Sequence, residues 1–305
     1  MRSRSRLTLL TLAVVLSALL WCPLGAGAQE EDEGPPLPLH TIEGVGGLVL
    51  TPTAYLAAPP AAGEDFGMPS LSVQTAWVGH RDLQVLAATW NVGNRLELGY
   101  ALNRFDVGNL NVGSIASHPE QLYMHHLNAR YNLIQEGQWD KEWMPAVTFG
   151  AHYKINDDID DINNSLGDAL DGIGYDDNDG LDFTLTASKT LGMFPRPVIA
   201  TAGLRASKAS QLGLTGFGDD YLVSFEGSVL TLVTDRLALG AEFRQKREAL
   251  GEIDGLVESE DSWWDVHAAY ILSPNASLYA VIGDAGAVLE HSSERLWGVV
   301  FKYDF

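Results

Sequence analysis

The sequence predicts an all-β protein, a transmembrane antiparallel β-barrel of about 12 strands with an N-terminal arm or plug segment. Three observations lead to this prediction. The end of the chain alternates aromatic with small or charged residues, internal segments alternate apolar with polar residues, and the connections between these segments alternate in length. A period of two indicates a strand with one apolar face, and a membrane barrel turns that face toward lipid.

The end of the chain has the pattern expected of a final barrel strand. Trp297, Val299, Phe301, Tyr303 and Phe305 fall on one side of an extended chain. The last residues of a soluble protein are usually frayed and polar, so this aromatic face indicates a membrane protein. We expect Phe301, Tyr303 and Phe305 to be the assembly signal, with outer-membrane lipid and the barrel assembly machinery as partners.

The start of the chain predicts export. Three arginines within residues 2–6 precede an apolar stretch over residues 7–20, and an Ala-Gly-Ala site follows at residues 26–28. This order is that of a secretory signal peptide. We therefore expect residues 1–28 to be cleaved and the protein to reach the cell outer membrane. Cys22 is the single cysteine, so the mature chain would form neither a disulfide nor a thiolate metal site.

The composition excludes several classes of protein. The chain has 19 basic and 40 acidic residues and a net charge of −21. A phosphate backbone demands a basic surface, so nucleic acid is excluded as a partner. After residue 28, no apolar run approaches the roughly 18 residues of a transmembrane helix. An exported chain without such a helix crosses a bilayer only as a closed barrel.

The barrel domain is predicted over residues 69–305. Residues 181–188 give the clearest strand, with apolar side chains at the odd positions and polar ones at the even positions. Residues 123–133 and 236–244 alternate in the same way. In residues 83–92 the apolar and polar residues do not alternate clearly, so the sequence leaves open which face of that strand points to lipid.

The connections alternate in length when counted back from the C-terminus. Long ones are predicted at residues 284–294, 248–261, 207–218, 155–180 and 105–120, and shorter ones at residues 273–275, 234–235, 191–195, 135–142 and 93–94. Outer-membrane barrels have long outer loops and tight periplasmic turns. Only the short connection at residues 79–81 departs from this pattern. Tryptophans near the strand ends, including Trp263 and Trp264, fit the interfacial girdles of such barrels.

Residues 29–68 form a separate N-terminal arm or plug. Residues 29–38 are acidic and proline-rich, which predicts a disordered lead. In residues 41–56, Pro52 interrupts a short apolar run and argues against a central strand. An edge strand, a plug and a periplasmic arm all fit this segment, and we favour an element packed in or against the barrel.

Four segments carry a resemblance to a known family. They are TIEGVGG (residues 41–47), QLGLTGFGDDY (211–221), LALGAEFRQK (237–246) and EDSWWDVHAAYILSPNASLYA (260–280). Together they resemble a bacterial outer-membrane family of unknown function, the DUF3034 family. GLVLTPTA (47–54) is also similar to the opening of YjbH-like outer-membrane barrels linked to exopolysaccharide export. Both resemblances imply an outer-membrane barrel, and neither supplies a reaction, a ligand or a catalytic residue.

Residues 156–180 contain nine aspartates. Calcium takes six to eight oxygen ligands, which closely spaced carboxylates can provide. Asp176, Asp177 and Asp179 are weak metal candidates, because the EF-hand pattern fails at its first and twelfth positions. The alternative is a hydrated acidic loop, loosely bridged by divalent cations. Its apolar residues could form a short helix that folds into the mouth of the barrel.

A second group consists of charged and polar residues on the strands that are expected to face the lumen. An arginine or lysine facing lipid at mid-membrane costs roughly 2–4 kcal/mol, so these side chains should point inward. They are Arg95, Glu97, Arg130, Asp182, Arg205, Glu226, Glu242, Arg244, Asp265 and His267, together with Lys154 and Lys302. They would form either a salt-bridged network that fills a narrow lumen or a polar pathway for a solute.

Three functions fit these features. The first is a narrow channel or passive binding barrel for small hydrophilic solutes. The second is a structural or export-accessory barrel that binds envelope partners through its arm or loops. The third is a barrel-wall hydrolase built on His267 and Asp265, but no catalytic motif joins them to a nucleophile. We therefore expect no enzyme, no catalytic residue and no cofactor.

Overall fold

The computed structural model describes residues 39–61, 63–108 and 119–305. It begins with two short strands, β1 (Leu39–His40) and β2 (Gly46–Gly47). Twelve longer strands follow: β3 (Ser70–Val78), β4 (Arg81–Val92), β5 (Leu96–Asp106), β6 (Gln121–Ile134), β7 (Ala146–Asn156), β8 (Asp179–Leu191), β9 (Val198–Ala209), β10 (Phe217–Leu232), β11 (Leu237–Arg244), β12 (Trp263–Ser273), β13 (Ala276–Asp284) and β14 (Arg295–Asp304). An α-helix, α1 (Ile159–Ser165), lies between β7 and β8. The expected signal peptide and acidic lead lie outside the described residues.

Strands β3 to β14 form one closed antiparallel barrel, in which each strand pairs with its neighbours in sequence. The barrel closes where the last strand meets the first, with Trp297 opposite Trp77 and Phe301 opposite Val73. Closure leaves no unpaired sheet edge, which a lipid environment requires. The predicted fold class and strand number are confirmed.

The two faces of the sheet differ in the way a membrane barrel demands. On the outer face Leu204 is 51% exposed and Ile282 is 61% exposed. On the inner face Asp182 and Glu97 are both 0% exposed. The apolar side chains therefore point outward toward lipid and the ionic ones point into the lumen.

The two ends of the barrel differ in the length of their connections. Residues 157–178, 245–262 and 285–294 lie at one end, here called the long-loop end. The turns at residues 93–95, 192–197, 233–236 and 274–275 lie at the other, the short-turn end. In α1, Ile159 and Ile162 are buried, and Leu170 packs in the same apolar cluster. No helix in the part of the chain that the structure describes is long and apolar enough to cross a membrane.

Residues 39–57, called the plug, lie inside the barrel. The chain enters at the short-turn end, where Leu39 packs against Leu230 and Ala276. It rises to an apex at Ile42 and Glu43, then returns to the short-turn end, where Asn91 Nδ2 donates to the carbonyl of Ala58. β1 and β2 pair with each other and not with the barrel. Pro52 lies outside both short strands, as its place in the sequence predicts.

The plug explains why apolar and polar residues do not alternate clearly in residues 83–92. In β4, Val85 and Ala87 are buried on the inner face, while Leu86 and Trp90 are exposed on the outer face. Both faces are apolar because the plug brings apolar side chains, including Ile42, against this part of the wall.

The plug and the wall approach most closely at two glycines. Gly44 has a φ of +77°, and a Cβ at Gly99 on β5 would lie 2.1 Å from the carbonyl oxygen of Gly44. A carbon cannot occupy that position unless one of the two backbones moves. Since β5 is held by ladders on both sides, the plug is the part that must move.

We expect Gly99→Ala to push the plug away from the wall while the barrel still closes. Hydrogen exchange of the amides in residues 42–51 should become faster by at least tenfold, because local opening of the plug becomes easier. Gly192→Ala is the matched control, since a Cβ there meets nothing within 4 Å. Equal exchange rates in the two variants would contradict this close contact.

Candidate functional site: the plugged lumen

The plug is fixed near its apex by a buried ionic cluster around Glu43. Lys154 Nζ lies 2.7 Å from Glu43 Oε1, Arg205 Nη2 lies 3.0 Å from Oε2, and Arg244 Nη2 lies 3.2 Å from Oε2. Glu43 comes from the plug, whereas its three cations stand on β7, β9 and β11. One carboxylate therefore joins three separate strands of the wall.

Two wall carboxylates complete the cluster. Asp182 Oδ2 lies 2.8 Å from Lys154 Nζ, and Glu226 Oε2 lies 3.2 Å from Arg205 Nε. The wall alone thus offers three cations and two carboxylates, and Glu43 supplies the third carboxylate that balances them. All of these side chains are at most 4% exposed. Since unbalanced buried charge is costly, the wall is electrostatically complete only with the plug in place.

Side chains of the wall also form hydrogen bonds with the main chain of the plug. Glu242 Oε1 accepts the amides of Val49 and Leu50 at 2.9 Å each, and its Oε2 accepts the amide and the hydroxyl of Thr51 at 2.6 Å each. A carboxylate offers about four acceptor sites, so the plug uses them all. Glu242 therefore binds three consecutive peptide amides of the plug.

Glu97 and Arg130 form a second such contact. Glu97 accepts the amides of Gly46 and Ala57 at 3.0 Å and 2.6 Å. Arg130 donates to the carbonyl oxygens of Gly46 and Thr53, and it lies 2.9 Å from Glu97. Away from water, each unpaired peptide group would cost free energy. These contacts explain how an irregular segment is stable inside a barrel.

Eleven of the twelve residues predicted to face the lumen are buried on the inner face. They are Glu97, Arg130, Lys154, Asp182, Arg205, Glu226, Glu242, Arg244, Asp265, His267 and Lys302. Arg95 is different: it lies at the turn before β5 and donates to the carbonyl oxygens of Asn132 and Leu133. Its place at a strand end, next to the turn glycine Gly93, removes it from the lumen.

Asp265 and His267 are in contact, as their spacing on one strand face suggests. His267 Nδ1 lies 3.0 Å from Asp265 Oδ1. Among the described residues, His267 Nε2 has no hydrogen-bond partner, so no described serine is in contact with it as a nucleophile would be. Ligand atoms of Glu242, Asp265 and His267 all lie within 4.8 Å of one another, which is a metal-like arrangement. Glu242, however, already accepts four hydrogen bonds from the plug, so the set does not fit a cation while the plug is seated.

The three aspartates proposed as weak metal candidates are not brought together. Asp177 pairs with Phe217 in an isolated bridge, Asp179 begins β8, and Asp176 lies beside Asp219. Among the described residues, the groups with metal-like geometry are elsewhere. The loop instead folds over the mouth of the barrel, where Gly251 N donates to the carbonyl of Ile173.

The residues of the expected assembly signal lie at the end of β14. Trp297 and Phe305 are exposed on the outer face, and the ring of Tyr303 lies 4.9 Å from that of Phe305. Phe301 lies on the same side of the strand but is only 8% exposed.

A cavity lies between the apex of the plug and the long-loop end, and we call it the upper chamber. Ile42 and Glu43 form its floor, and residues of loops 210–214 and 285–288 form its roof. Its wall includes Leu83, Phe105 and Trp263. Trp263 is 5% exposed, so the expectation of an interfacial position is wrong for Trp263. It holds for Trp264, which is 51% exposed.

Sequence reasoning missed Glu43, Gln211 and the role of the upper chamber. Glu43 is the one acidic residue within the TIEGVGG segment, which was the available signal. Nothing in the sequence pairs it with Lys154, Arg205 and Arg244, since they are more than a hundred residues away. Such pairings arise only from the path of the plug through the lumen.

At the short-turn end, Glu136 fixes the returning part of the plug. It accepts hydrogen bonds from the hydroxyl of Tyr55, from the amide of Thr190 at 2.8 Å and from Lys189 Nζ at 2.8 Å. Burial alone would raise the pKa of Glu136, but the hydrogen bonds from Lys189, Tyr55 and Thr190 outweigh it and lower that pKa. Burial and the hydrogen bond to Glu136 raise the pKa of Tyr55.

The fold and its filled lumen define an outer-membrane-type β-barrel with an internal N-terminal plug. Residues 38–300 match the model of a family described as "Protein of unknown function (DUF3034)". The chain belongs to this family. No curated protein matches the sequence.

Several solved barrels are similar in fold. The KdgM porin, solved in complex with disordered oligogalacturonate, has 10% identity over 77% of this chain and 99% of its own, with a TM-score of 0.46. Acinetobacter baumannii Omp33 has 12% identity over 79% and 99%, with a TM-score of 0.45. The COG4313 outer membrane channel from Pseudomonas putida F1 has 12% identity over 80% and 97%, with a TM-score of 0.39.

We expect Glu43→Gln to loosen the plug strongly. The change leaves three buried cations with two carboxylates, and breaking a buried ionic cluster in this way costs about 3–5 kcal/mol. Hydrogen exchange of residues 41–51 measures the loss. Glu64→Gln removes the same charge from an exposed position and should leave the exchange unchanged. If both variants behaved as wild type, Glu43 would not be holding the plug.

The contact of Glu136 with Tyr55 should depend on pH. Because the folded-state pKa of Glu136 is lowered, its stabilising effect is complete above the ordinary glutamate pKa of about 4.3. The effect is lost as the pH falls through the lowered value. Hydrogen exchange of residues 53–57, corrected for its intrinsic pH dependence, should therefore show extra opening in acid. Glu136→Gln should abolish that extra opening.

Proposed function

We propose that the protein is a plug-gated outer-membrane barrel, closed in the state described above, that admits small hydrophilic solutes when the plug moves. The observation that carries this proposal is the way the plug is held. Hydrogen bonds and ion pairs from the wall bind the main chain and Glu43 of the plug. Polar contacts of this kind can be exchanged for water, whereas the apolar side chains Ile42, Leu48 and Val49 of the plug pack in the apolar cluster of the interior and would be exposed when the plug moves.

The wall that a displaced plug would uncover supports a hydrophilic solute. Arg130, Lys154, Arg205, Glu226 and Glu242 all face the lumen at the height of the plug. With the plug removed, the same groups would line a wetted pathway. A barrel of about 12 strands is intermediate between barrels filled by their own side chains and wide porins.

The proposal includes no catalysis. His267 and Asp265 lie beneath the plug contact of Glu242, and the open nitrogen of His267 faces no nucleophile. A hydrolase would need a nucleophile, a base and an orienting group in mutual reach. The Asp265–His267 contact is accounted for as part of the wall that holds the plug.

Single-channel recording in planar bilayers, with a reversible lock on the plug, tests the gate. Ser188 Oγ lies 2.8 Å from the amide nitrogen of Ala54, so Ala54→Cys and Ser188→Cys place two thiols at a plug–wall contact. The lock is introduced together with Gly99→Ala, which loosens the plug. Oxidised protein should show no conductance, and a reductant should restore conductance steps. The single-cysteine variants are the controls for each thiol.

Two results would overturn the gate. One is equal conductance in the oxidised and reduced forms. The other is a barrel that lacks residues 39–57, folds correctly and still conducts nothing. Uptake of small sugars into proteoliposomes, measured with the same variants, tests whether the solute is hydrophilic.

A second candidate function is supported by the path of the plug. Both of its ends, Leu39 and Ala57, lie at the short-turn end. An envelope partner that binds the chain on that side could therefore pull the plug out of the barrel. We expect deletion of residues 29–38 to leave the plug seated but to remove binding of such a partner. If the full chain and the deletion capture the same envelope proteins, this accessory function is excluded.

A further inference from the structure

The upper chamber is an open space inside the described barrel. Its volume is about 70 Å³, counted as space open to the centres of water molecules. At roughly 10–15 Å³ for each water, that is room for about five waters or a molecule of similar bulk. Leu83, Phe105, Met124 and Trp263 make most of the lining apolar.

Three polar side chains that line the chamber have atoms without a hydrogen-bond partner among the described residues. Asn103 Oδ1, both ring nitrogens of His126, and Gln211 Nε2 form no hydrogen bond. Asn103 and Gln211 are 5% exposed and His126 is 1% exposed. A buried polar group without a partner costs about 1–3 kcal/mol, and such groups usually mark a missing partner. Asn103 and His126 stand on the paired strands β5 and β6, and Gln211 stands on the loop after β9, so two separate parts of the chain converge here.

The charged groups at the edge of the chamber are already paired. Glu43 is held by Lys154, Arg205 and Arg244. Lys246 Nζ lies 3.3 Å from Glu260 and donates to the carbonyl of Ala287 at 2.7 Å. A ligand with a formal charge would therefore find no free countercharge. The open groups instead offer an amide donor, an amide acceptor and an imidazole.

We propose that the upper chamber binds a small, uncharged molecule with an apolar body and one hydroxyl or amide group. The apolar body fills the space beside Phe105 and Trp263. The hydroxyl or amide group hydrogen-bonds to Asn103, His126 or Gln211. Such a ligand removes the cost of the unpaired groups and of the empty apolar space together.

The ligand would rest on the apex of the plug, since Ile42 and Glu43 form the floor of the chamber. This site goes beyond the proposed gate, and binding can be measured whether or not the plug moves. Binding to the plug-locked protein and conductance of the unlocked protein are separate readouts. Failure of one therefore does not conceal failure of the other.

Isothermal titration calorimetry of the refolded full-length mature chain in detergent tests the site with three probes. Phenol has the proposed chemistry, benzene lacks the hydroxyl group, and benzoate adds a charge. We expect saturable binding of phenol, at least tenfold tighter than that of benzene or benzoate. Ala287→Leu fills the chamber and should abolish the saturable binding. Ala268→Leu adds the same bulk on the outer face and should have no effect, which controls for partition into detergent.

The polar contacts have their own test. His126→Phe keeps a ring at this position but removes both nitrogens, and Asn103→Leu keeps the bulk but removes the amide. Each should weaken phenol binding about tenfold and leave benzene binding unchanged. Heat-modified mobility on gels identifies variants that fail to fold. Phenol binding that survives in both Ala287→Leu and His126→Phe overturns the site, and tighter binding of benzoate overturns the uncharged ligand class.

Discussion

The charge balance around Glu43 is the constraint on which the rest of the interior depends. The barrel wall brings Lys154, Arg205 and Arg244 together with only two carboxylates of its own. Burying three cations against two anions would be unfavourable in a medium of low dielectric. The plug supplies the missing carboxylate, so the wall and the plug are two halves of one neutral cluster. This explains why a segment that is separate in sequence belongs to the barrel interior.

The wall also provides hydrogen-bond partners for the main chain of the plug. A segment with only two-residue strands has many peptide groups that lack partners of their own. Glu97, Arg130 and Glu242 provide those partners from three different strands. Ile42, Leu48 and Val49 of the plug also pack in the apolar cluster of the interior, but the main chain of the plug is held by polar contacts. Such contacts are specific in position and yet can be replaced by water, which is the combination that a movable plug requires.

The interior divides into two regions with different chemistry. Around the plug the wall is ionic, and toward the long-loop end it becomes apolar, with Leu83, Phe105 and Trp263 lining the upper chamber. The plug apex is the boundary between them, because Ile42 faces the apolar region while Glu43 enters the ionic cluster.

The sequence by itself determined the barrel, its approximate strand number and the facing of most strands. These follow from alternation with a period of two, which is local and survives in any stretch of a few residues. It also placed eleven of the twelve proposed lumen-facing side chains, because a charged side chain on a membrane strand is costly when it faces lipid and must point inward. It left the facing of β4 open, because the partner on the inner side is the apolar part of the plug rather than water or ions.

The tertiary structure decided everything that depends on which distant groups meet. Only the path of residues 39–57 brings Glu43 to Lys154, and only the folded loops bring Gln211 near Asn103 and His126. It also moved Arg95 to a turn and Trp263 to the interior. Alternation assigns a face to each residue of a strand, but it does not say what occupies the space that the face meets. The residues that pack against each face come from segments far apart in the chain, and no local sequence pattern predicts them.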